Sequence, residues 1–362
     1  MTSLASSGAR PTLALVGATG AVGRVTQQVL AMREDIWGEV RACAAPEDVG
    51  TVLTVLGRTV AVQQLTPAFF DGVDIALVDL PAEVAAAWAP IAADRGAVVI
   101  DNSSALRGDP DIPLVVPEVN PAQIRNRPKG IIANPGATVL TMIDALGVLH
   151  AGWELIELVV ASYQAASGAG RVGMARLFDE VEVVAGHREL GHQPGDVRRL
   201  IESELGADSP FPAPLALNVV PWIGRADEDG WTTEELKIRN ETRKVLGLPE
   251  LKVSATCVRV PVVTSHSVAV HATFARRIDV DKARQALIEA PAVVVLDDPE
   301  SLEFPTPTDA VGSDPRFAGR LRQALDFPNT LDFFICGDNL RKGGALNMVQ
   351  VAELVARELV TA

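Results

Sequence analysis

Short apolar runs alternate with polar turns along the first third of the chain. β-type runs occur at residues 12–17, 39–44, 74–78 and 97–100. A helical pattern covers residues 82–93, between the last two runs. Strands that alternate with helices are joined by right-handed crossovers, which place the strands parallel in one sheet. The pattern therefore predicts a parallel α/β domain.

The pattern changes after Asn134 and Pro135. β-type runs follow at residues 153–161, 252–259 and 262–274, and helical patterns at residues 172–187, 233–246 and 345–361. Long strands with few, long helices indicate an α+β domain with a mixed sheet. We expect a first domain over residues 1–135, completed by a C-terminal helix within residues 340–362. The second domain is expected over residues 136–339.

A glycine-rich turn follows the first predicted strand directly. Residues 17–23 read GATGAVG and lead into a helix-like stretch. Glycines in such a turn let the backbone approach a pyrophosphate, and the helix N-terminus supplies N–H groups and a positive dipole end. The spacing G-x-x-G-x-x-G differs from G-x-G-x-x-G, so the motif alone leaves an ordinary tight β–α turn open.

Composition fits a globular chain and excludes two classes of partner. The 362 residues suggest about two domains, and 48% apolar with 22% charged content is ordinary for folded proteins. The net charge of −14 argues against nucleic acid and anionic membranes as partners, because both require a basic surface. A small anionic substrate remains compatible, because a local pocket can be basic.

The cellular setting is expected to be cytoplasmic. The longest apolar runs fall far short of a transmembrane helix, and residues 1–10 lack the apolar core of a signal peptide. The three cysteines, Cys43, Cys257 and Cys336, form an odd and sparse set that indicates reduced thiols. No set of metal ligands is evident.

Nine segments in order along the chain resemble aspartate-β-semialdehyde dehydrogenases. They are GATGAVG (17–23), DNSSALR (101–107), PLVVPEVN (113–120), IIANP (131–135), SYQAASGAGRVGM (162–174), EELK (234–237), ETRKVLGLPEL (241–251), SATCVRVPV (254–262) and GDNLRKGGALN (337–347). The resemblance implies a Rossmann-like parallel-sheet dinucleotide-binding domain and an α+β catalytic and dimerisation domain. It also implies amino-acid biosynthesis, NADP or NAD as cofactor, and a homodimer or tetramer.

The family reduces β-aspartyl phosphate through a thioester on a cysteine, which divides one difficult step into two easier ones. That cysteine follows an Asn-Pro, and the corresponding stretch here is Asn134-Pro135-Gly136-Ala137-Thr138. Position 137 therefore holds alanine where the resemblance implies the nucleophile. Cys257 is better explained as a small core residue, and Thr138 has no evident base to activate it.

The other site positions of the family are largely present. The resemblance makes Gln164 the glutamine that orients the substrate and His266 the acid–base histidine. It also assigns substrate binding to five residues: Arg107, Asn134, Glu234, Lys237 and Arg259. Arginine suits this role because its planar guanidinium pairs bidentately with carboxylate or phosphate.

The cofactor segments are only partly preserved. The resemblance assigns cofactor binding to Gly17, Thr19, Gly20, Ala21, Val22, Gly23 and Asn339. After the second strand, however, Glu47 and Asp48 stand where NADP-using relatives carry hydroxyl and basic residues. An acidic residue about 24 positions past the turn is closer to an NAD pattern. Residues 79–82, Asp-Leu-Pro-Ala, replace a glycine-rich turn, which leaves loss of the dinucleotide open.

Three interpretations follow. The first is an enzyme that binds an aspartate- or aspartyl-phosphate-like anion without the thioester step, by non-redox chemistry or direct hydride transfer. The second is a catalytically inactive paralogue with a binding or regulatory role. The third is an NADP-dependent aspartate-semialdehyde dehydrogenase carrying an active-site mutation at Ala137.

Overall fold

The computed structural model describes residues 10–361. Residues 1–9 and Ala362, which the sequence analysis included in the first domain, lie outside the described residues, as does most of the segment compared with a signal peptide. The strands are β1 (Leu13–Val16), β2 (Val40–Cys43), β3 (Val52–Val55), β4 (Arg58–Gln63), β5 (Ile75–Val78), β6 (Val98–Asp101), β7 (Ile131–Ala133), β8 (Leu155–Gln164), β9 (Lys252–Arg259), β10 (His266–Phe274), β11 (Val293–Val295), β12 (Arg316–Gln323) and β13 (Thr330–Gly337).

The helices are α1 (Ala21–Ala31), α2 (Ala82–Asp94), α3 (Ala137–Trp153), α4 (Gly170–Val184), α5 (Asp196–Leu205), α6 (Thr233–Leu246), α7 (Val280–Glu289), α8 (Pro307–Ala310) and α9 (Asn347–Thr361). A π-helical turn, Arg341–Leu346, leads into α9. Across residues 10–361, no helix is both long and apolar enough to span a membrane. Within the same range, no three or more His, Cys, Asp or Glu side chains are arranged to hold a metal ion.

The chain divides into two compact units. Within the described residues, unit 1 contains residues 10–140, 241–248 and 340–361, and unit 2 contains residues 141–240 and 249–339. The division falls after Leu140, inside α3, rather than after Pro135. Residues 241–248 also belong to unit 1, whereas the sequence analysis placed them in the second domain. Their side chains explain this difference, because Glu241 and Lys244 bond to Arg107 and to the loop that follows it.

Unit 1 contains a seven-stranded sheet in the order β3-β4-β2-β1-β5-β6-β7. Its strands are parallel, except that β3 runs antiparallel to β4. The buried strands β1 and β5 pack in one core with apolar residues of α9. The predicted parallel sheet is confirmed. The β3–β4 hairpin, whose strands turn alternate residues to solvent, was not predicted.

Unit 2 contains a six-stranded mixed sheet in the order β11-β12-β13-β10-β8-β9. The pairs β8–β9 and β11–β12 are parallel, and the central pairs are antiparallel. The predicted mixed sheet is therefore also confirmed. Helix α3 escaped prediction because its residues between Val139 and Leu149 are almost all buried, so it lacks an amphipathic period.

Candidate functional site

The glycine turn of unit 1 joins β1 to α1. Gly17 has φ +90°, and a Cβ there would lie 2.1 Å from the carbonyl oxygen of Asp79. Gly20 is the N-cap of α1 and makes no side-chain capping bond. A Cβ on Gly23 would lie 2.3 Å from Gly17 O, so the helix packs against its own turn. This bare backbone at a helix N-terminus fits a pyrophosphate.

The predicted cofactor residues Thr19, Ala21 and Val22 lie in the same turn and the first turn of α1. Thr19 Oγ1 donates to Asp48 Oδ2 at 2.6 Å. Asp79 follows β5 and accepts a bond of 2.8 Å from Asn102 Nδ2. Burial raises the pKa of Asp79, and the neighbouring Asp101 carboxylate raises it further. The turn is therefore accompanied by two acidic side chains.

A chain of asparagine side chains leads from Asp79 through the interior of unit 1. Asn134 Nδ2 donates to Asn102 Oδ1 at 2.8 Å, and Asn347 Nδ2 donates to Asn134 Oδ1 at 2.7 Å. Lys342, itself paired with a carboxylate, donates to Asn347 Oδ1 at 3.2 Å. Asn134, predicted to bind substrate, is buried and engaged at both ends of its amide. In this arrangement Asn134 holds the side chains of Asn102 and Asn347 in place.

Position 137 is the first residue of α3. Just before it, Gly136 N donates to Glu241 Oε2 at 2.6 Å, and Arg107 Nη1 donates to Glu241 Oε1 at 3.1 Å. A Cβ on Gly136 would lie 2.9 Å from Arg107 Nη1 and 3.2 Å from Glu241 Oε2. A side chain at position 136 would therefore crowd the Arg107–Glu241 ion pair, and glycine lets this pair lie against the backbone.

Two residues beside Arg107, Glu241 and Lys244, were missed by the sequence analysis. Lys244 Nζ donates to the carbonyl oxygens of Arg107, Asp109 and Ile112 at 2.8, 2.6 and 2.7 Å. Burial lowers the pKa of Lys244. Both residues follow the predicted Glu234 and Lys237 by seven positions in α6, which places all four on one helical face. This seven-residue spacing in the sequence could have pointed to Glu241 and Lys244.

In unit 2, Gln164 is buried at the end of β8. Its Nε2 donates to Ser162 Oγ at 3.2 Å and to Glu234 Oε1 at 3.4 Å. Lys237 Nζ lies 3.8 Å from Glu234 Oε2, and its side chain is partly exposed. The structure therefore brings these three predicted residues together, with Glu234 between the other two.

Arg259 and His266 converge on the backbone of Gly168. A Cβ there would lie 2.5 Å from Arg259 Nη1 and 3.4 Å from His266 Nε2. His266 Nδ1 accepts a bond of 3.1 Å from the N–H of Ala165, which assigns the ring proton of the neutral imidazole to Nε2. Burial, together with the Arg259 charge, lowers the pKa of His266 to about 3.

Asn339 lies at the end of unit 2, after β13. Its Oδ1 accepts bonds of 2.9 Å from Ser167 Oγ and from Ser265 N. Ser265, which precedes His266, is buried and has φ +82°. Asn339 thus fixes the segments on either side of Arg259 and His266 within unit 2. Its predicted contact with cofactor stays a prediction.

All three cysteines are buried. The Arg259 charge favours the thiolate of Cys257, but burial and the Glu234 carboxylate outweigh it. Burial raises the pKa of Cys43 and Cys257 to about 12 and that of Cys336 to about 11. Cys43 ends β2, and the other two lie in β9 and β13. Since the thiolate is the reactive form, these thiols are poorly suited to nucleophilic catalysis.

The predicted residues thus form two groups. Unit 1 holds Ala137, Arg107, Asn134 and the glycine turn, and unit 2 holds Gln164, Glu234, Lys237, Arg259, His266 and Asn339. Each group contains an arginine with polar partners, the partly buried Arg107 in unit 1 and the buried Arg259 in unit 2. In unit 1, Arg107 Nε is buried, and no residue within 10–361 accepts its hydrogen. Such orphaned donors are rare in folded proteins and suit an anion.

Comparison with known families identifies the two parts of the chain. Residues 12–127 match the family model "Semialdehyde dehydrogenase, NAD binding domain", and residues 146–342 match "Semialdehyde dehydrogenase, dimerisation domain". The aspartate-semialdehyde dehydrogenase of Streptomyces akiyoshiensis is 44% identical over 351 residues, which cover 95% of this chain and 98% of the relative. The chain belongs to the aspartate-semialdehyde dehydrogenase family.

Other members of the aspartate-semialdehyde dehydrogenase family agree in length and fold. The enzyme of Corynebacterium glutamicum is 41% identical over 353 residues, covering 96% of this chain and 99% of the relative. The crystal structure of aspartate semialdehyde dehydrogenase II complexed with ASA from Vibrio cholerae has a TM-score of 0.88 and 36% identity. It covers 96% of this chain and 99% of that one. The family resemblance and the Rossmann-type NAD-binding domain are thus confirmed.

Proposed function

We propose that this chain binds a small aspartate- or aspartyl-phosphate-like anion and acts on it without a thioester. The observation that carries the proposal is alanine at position 137, the first residue of α3, together with three cysteines that burial keeps as neutral thiols. Alanine supplies no nucleophile, and the existing thiols have raised pKa values. Covalent capture of an acyl group is therefore disfavoured.

Binding of an anion is supported by the cationic side chains of both groups. In unit 1, Arg107 contributes a partly buried guanidinium held by Glu241. In unit 2, Arg259 contributes a buried one whose Nη1 donates to Ala165 O at 2.7 Å. Both arginines are anchored before any ligand arrives, so little side-chain freedom is lost on binding. The Vibrio cholerae relative was crystallised in complex with ASA, and we propose a ligand of the same kind for this chain.

His266 is proposed to act as a hydrogen-bond donor. The N–H of Ala165 occupies Nδ1, and the low pKa keeps the ring neutral, so Nε2 carries the proton. A neutral imidazole in this form stabilises negative charge on a substrate oxygen but does not remove a proton at Nε2. The dinucleotide implied by the matched NAD-binding domain would supply hydride transfer.

The chain is further proposed to form a homodimer through unit 2. Residues 146–342 match a dimerisation domain, and the six-stranded sheet carries partly exposed apolar side chains. The rings of Tyr163 and Phe334 lie 6.0 Å apart on neighbouring parts of this sheet. A tetramer would require a second interface.

Calorimetry combined with intact-protein mass spectrometry tests the catalytic proposal. Purified protein is expected to bind aspartate semialdehyde, to show no covalent mass increase and to reduce no dinucleotide in a phosphate-dependent manner. In Ala137→Cys, the new thiol is expected to give a mass adduct but no phosphate-dependent reduction. Ala137→Ser is the size-matched control and should gain neither.

Each outcome has a consequence. A covalent adduct or phosphate-dependent turnover in the parent chain would overturn the proposal. Absence of both binding and turnover would favour an inactive paralogue with a regulatory role. Full restoration by the cysteine alone would favour a dehydrogenase that has lost only its nucleophile.

A further inference from the structure

A carboxylate is fixed beside the glycine turn of unit 1. Asp48 ends a short 3-10 turn, Pro46–Asp48, and its Oδ2 accepts the 2.6 Å bond from Thr19 Oγ1. The end of β2 is bonded to the glycine turn, because the N–H groups of Gly17 and Ala18 donate to Cys43 O at 2.9 and 3.1 Å. Asp48 therefore has a defined position next to the N-terminus of α1.

In a dinucleotide-binding sheet, the segment after the second strand contacts the adenosine ribose. An acidic residue after the second strand accepts hydrogen bonds from the adenosine ribose, whereas an additional 2′-phosphate requires a cation there. A fixed carboxylate accepts a hydrogen bond from a 2′-hydroxyl and repels a 2′-phosphate. Between β2 and Glu47, the residues Ala44, Ala45 and Pro46 supply neither hydroxyl nor charge.

The basic side chain at this turn is Arg24, on α1. Its Nε donates to Thr19 O at 3.1 Å, so part of the guanidinium is already bonded to the turn. Arg24 could attract any phosphate of a dinucleotide, whether pyrophosphate or 2′-phosphate. Asp48, in contrast, distinguishes the two dinucleotides, because its preference depends on whether the 2′ position is a hydroxyl.

We propose that Asp48 is the specificity-determining residue that makes this chain accept NAD and reject NADP. Thr19 is its positioning residue, since its hydroxyl holds the carboxylate in place. The inference rests on the proposed function only in that a dinucleotide occupies the glycine turn. It requires neither a thioester nor a particular substrate.

Titration calorimetry with NAD and NADP tests this on the full chain. The parent is expected to bind NAD about tenfold or more tightly than NADP, and added salt should reduce that preference. Asp48→Asn keeps the shape of the side chain and removes its charge, so the preference should fall about tenfold. Thr19→Val keeps the charge and releases the carboxylate, so NAD affinity should fall several-fold.

Glu47→Gln is the matched control, because it removes an exposed neighbouring charge outside the Thr19 bond. Its NAD-to-NADP ratio should stay within about threefold of the parent value, and thermal unfolding should confirm that all variants are folded. Equal or tighter binding of NADP by the parent would overturn the inference, as would an unchanged ratio in Asp48→Asn. Binding of neither dinucleotide would also overturn it, while binding of aspartate semialdehyde in the same experiment would leave the proposed function standing.

Discussion

Two glycines leave room for charged side chains to lie against the backbone. Gly168 has no side chain at the place where Arg259 Nη1 and His266 Nε2 converge. Gly136 has the same relation to Arg107 and Glu241 in the other unit. Both glycines therefore keep charged side chains against the backbone, and both lie within segments that the sequence analysis interpreted as parts of the site.

Gly168→Ala should weaken binding of aspartate semialdehyde by about tenfold or more, measured by calorimetry. The added methyl group would lie 2.5 Å from Arg259 Nη1, and the guanidinium would have to move. Gly152→Ala is the control, because a Cβ there meets nothing within 4 Å and glycine is a poor helix former. Unchanged affinity in Gly168→Ala would show that ligand does not depend on this placement of Arg259.

The buried imidazole of His266 should make the chain sensitive to acid. Its pKa is about 3 in the folded protein and ordinarily about 6.5, so the unfolded chain takes up a proton first as pH falls. Stability is therefore lost between about pH 6.5 and pH 3, by about 2 kcal/mol at pH 5. Denaturant titrations at pH 7.5 and 5 should show this loss in the parent and a smaller one in His266→Gln. The exposed His192→Gln should behave like the parent; identical losses in parent and His266→Gln would contradict the assignment.

Among the elements, α6 was predicted as a helix, but its division between the two units was not. Its amphipathic pattern predicts the helix with the correct bounds, Thr233–Leu246. The pattern does not show that its last turns belong to unit 1, because that grouping depends on Lys244 reaching three backbone carbonyls far away in sequence.

Lys244→Ala should lower the free energy of unfolding by about 2–3 kcal/mol in denaturant titrations. The change leaves three carbonyl oxygens without their charged donor, and such bonds contribute more than neutral ones. Lys252→Ala is the control, because Lys252 is exposed and its nearest carboxylate, Glu157, is 4.0 Å away. A loss below about 0.5 kcal/mol in Lys244→Ala would mean that water replaces the lysine at no cost.

At the scale of the whole molecule, the net charge of −14 bears on anion binding, and the matched dimerisation domain bears on self-association. The acidic balance coexists with a partly buried Arg107 in unit 1 and a buried Arg259 in unit 2. A protein of this kind can remain soluble through its overall charge and still attract a small anion locally.

Tyr163→Asp should shift the chain from dimer towards monomer in light scattering after size-exclusion chromatography. A charge on the exposed sheet face would be desolvated in the dimer, which costs several kcal/mol when the charge is unpaired. Leu325→Asp is the control, since Leu325 is fully exposed in a loop before β13. A dimer that is unaffected by Tyr163→Asp would place the interface on another face of unit 2.

The sequence by itself determined the family, the two sheet types and the residue types of the site. Periods of apolar residues are local, and they predicted β1, β2 and β5 to within one residue at each end and α6 with its observed bounds. Ordered motifs such as GATGAVG and GDNLRKGGALN carried the family resemblance, and position 137 is alanine in any conformation.

Only the tertiary structure decided what those residues touch. Glu241 holds Arg107, the N–H of Ala165 sets the proton position on His266, and Thr19 holds Asp48. Each bond joins residues between 29 and 134 positions apart. Burial likewise gave the thiols their raised pKa values. Local patterns are silent on such contacts, because pairing at long range and removal of water both arise only when the chain is packed.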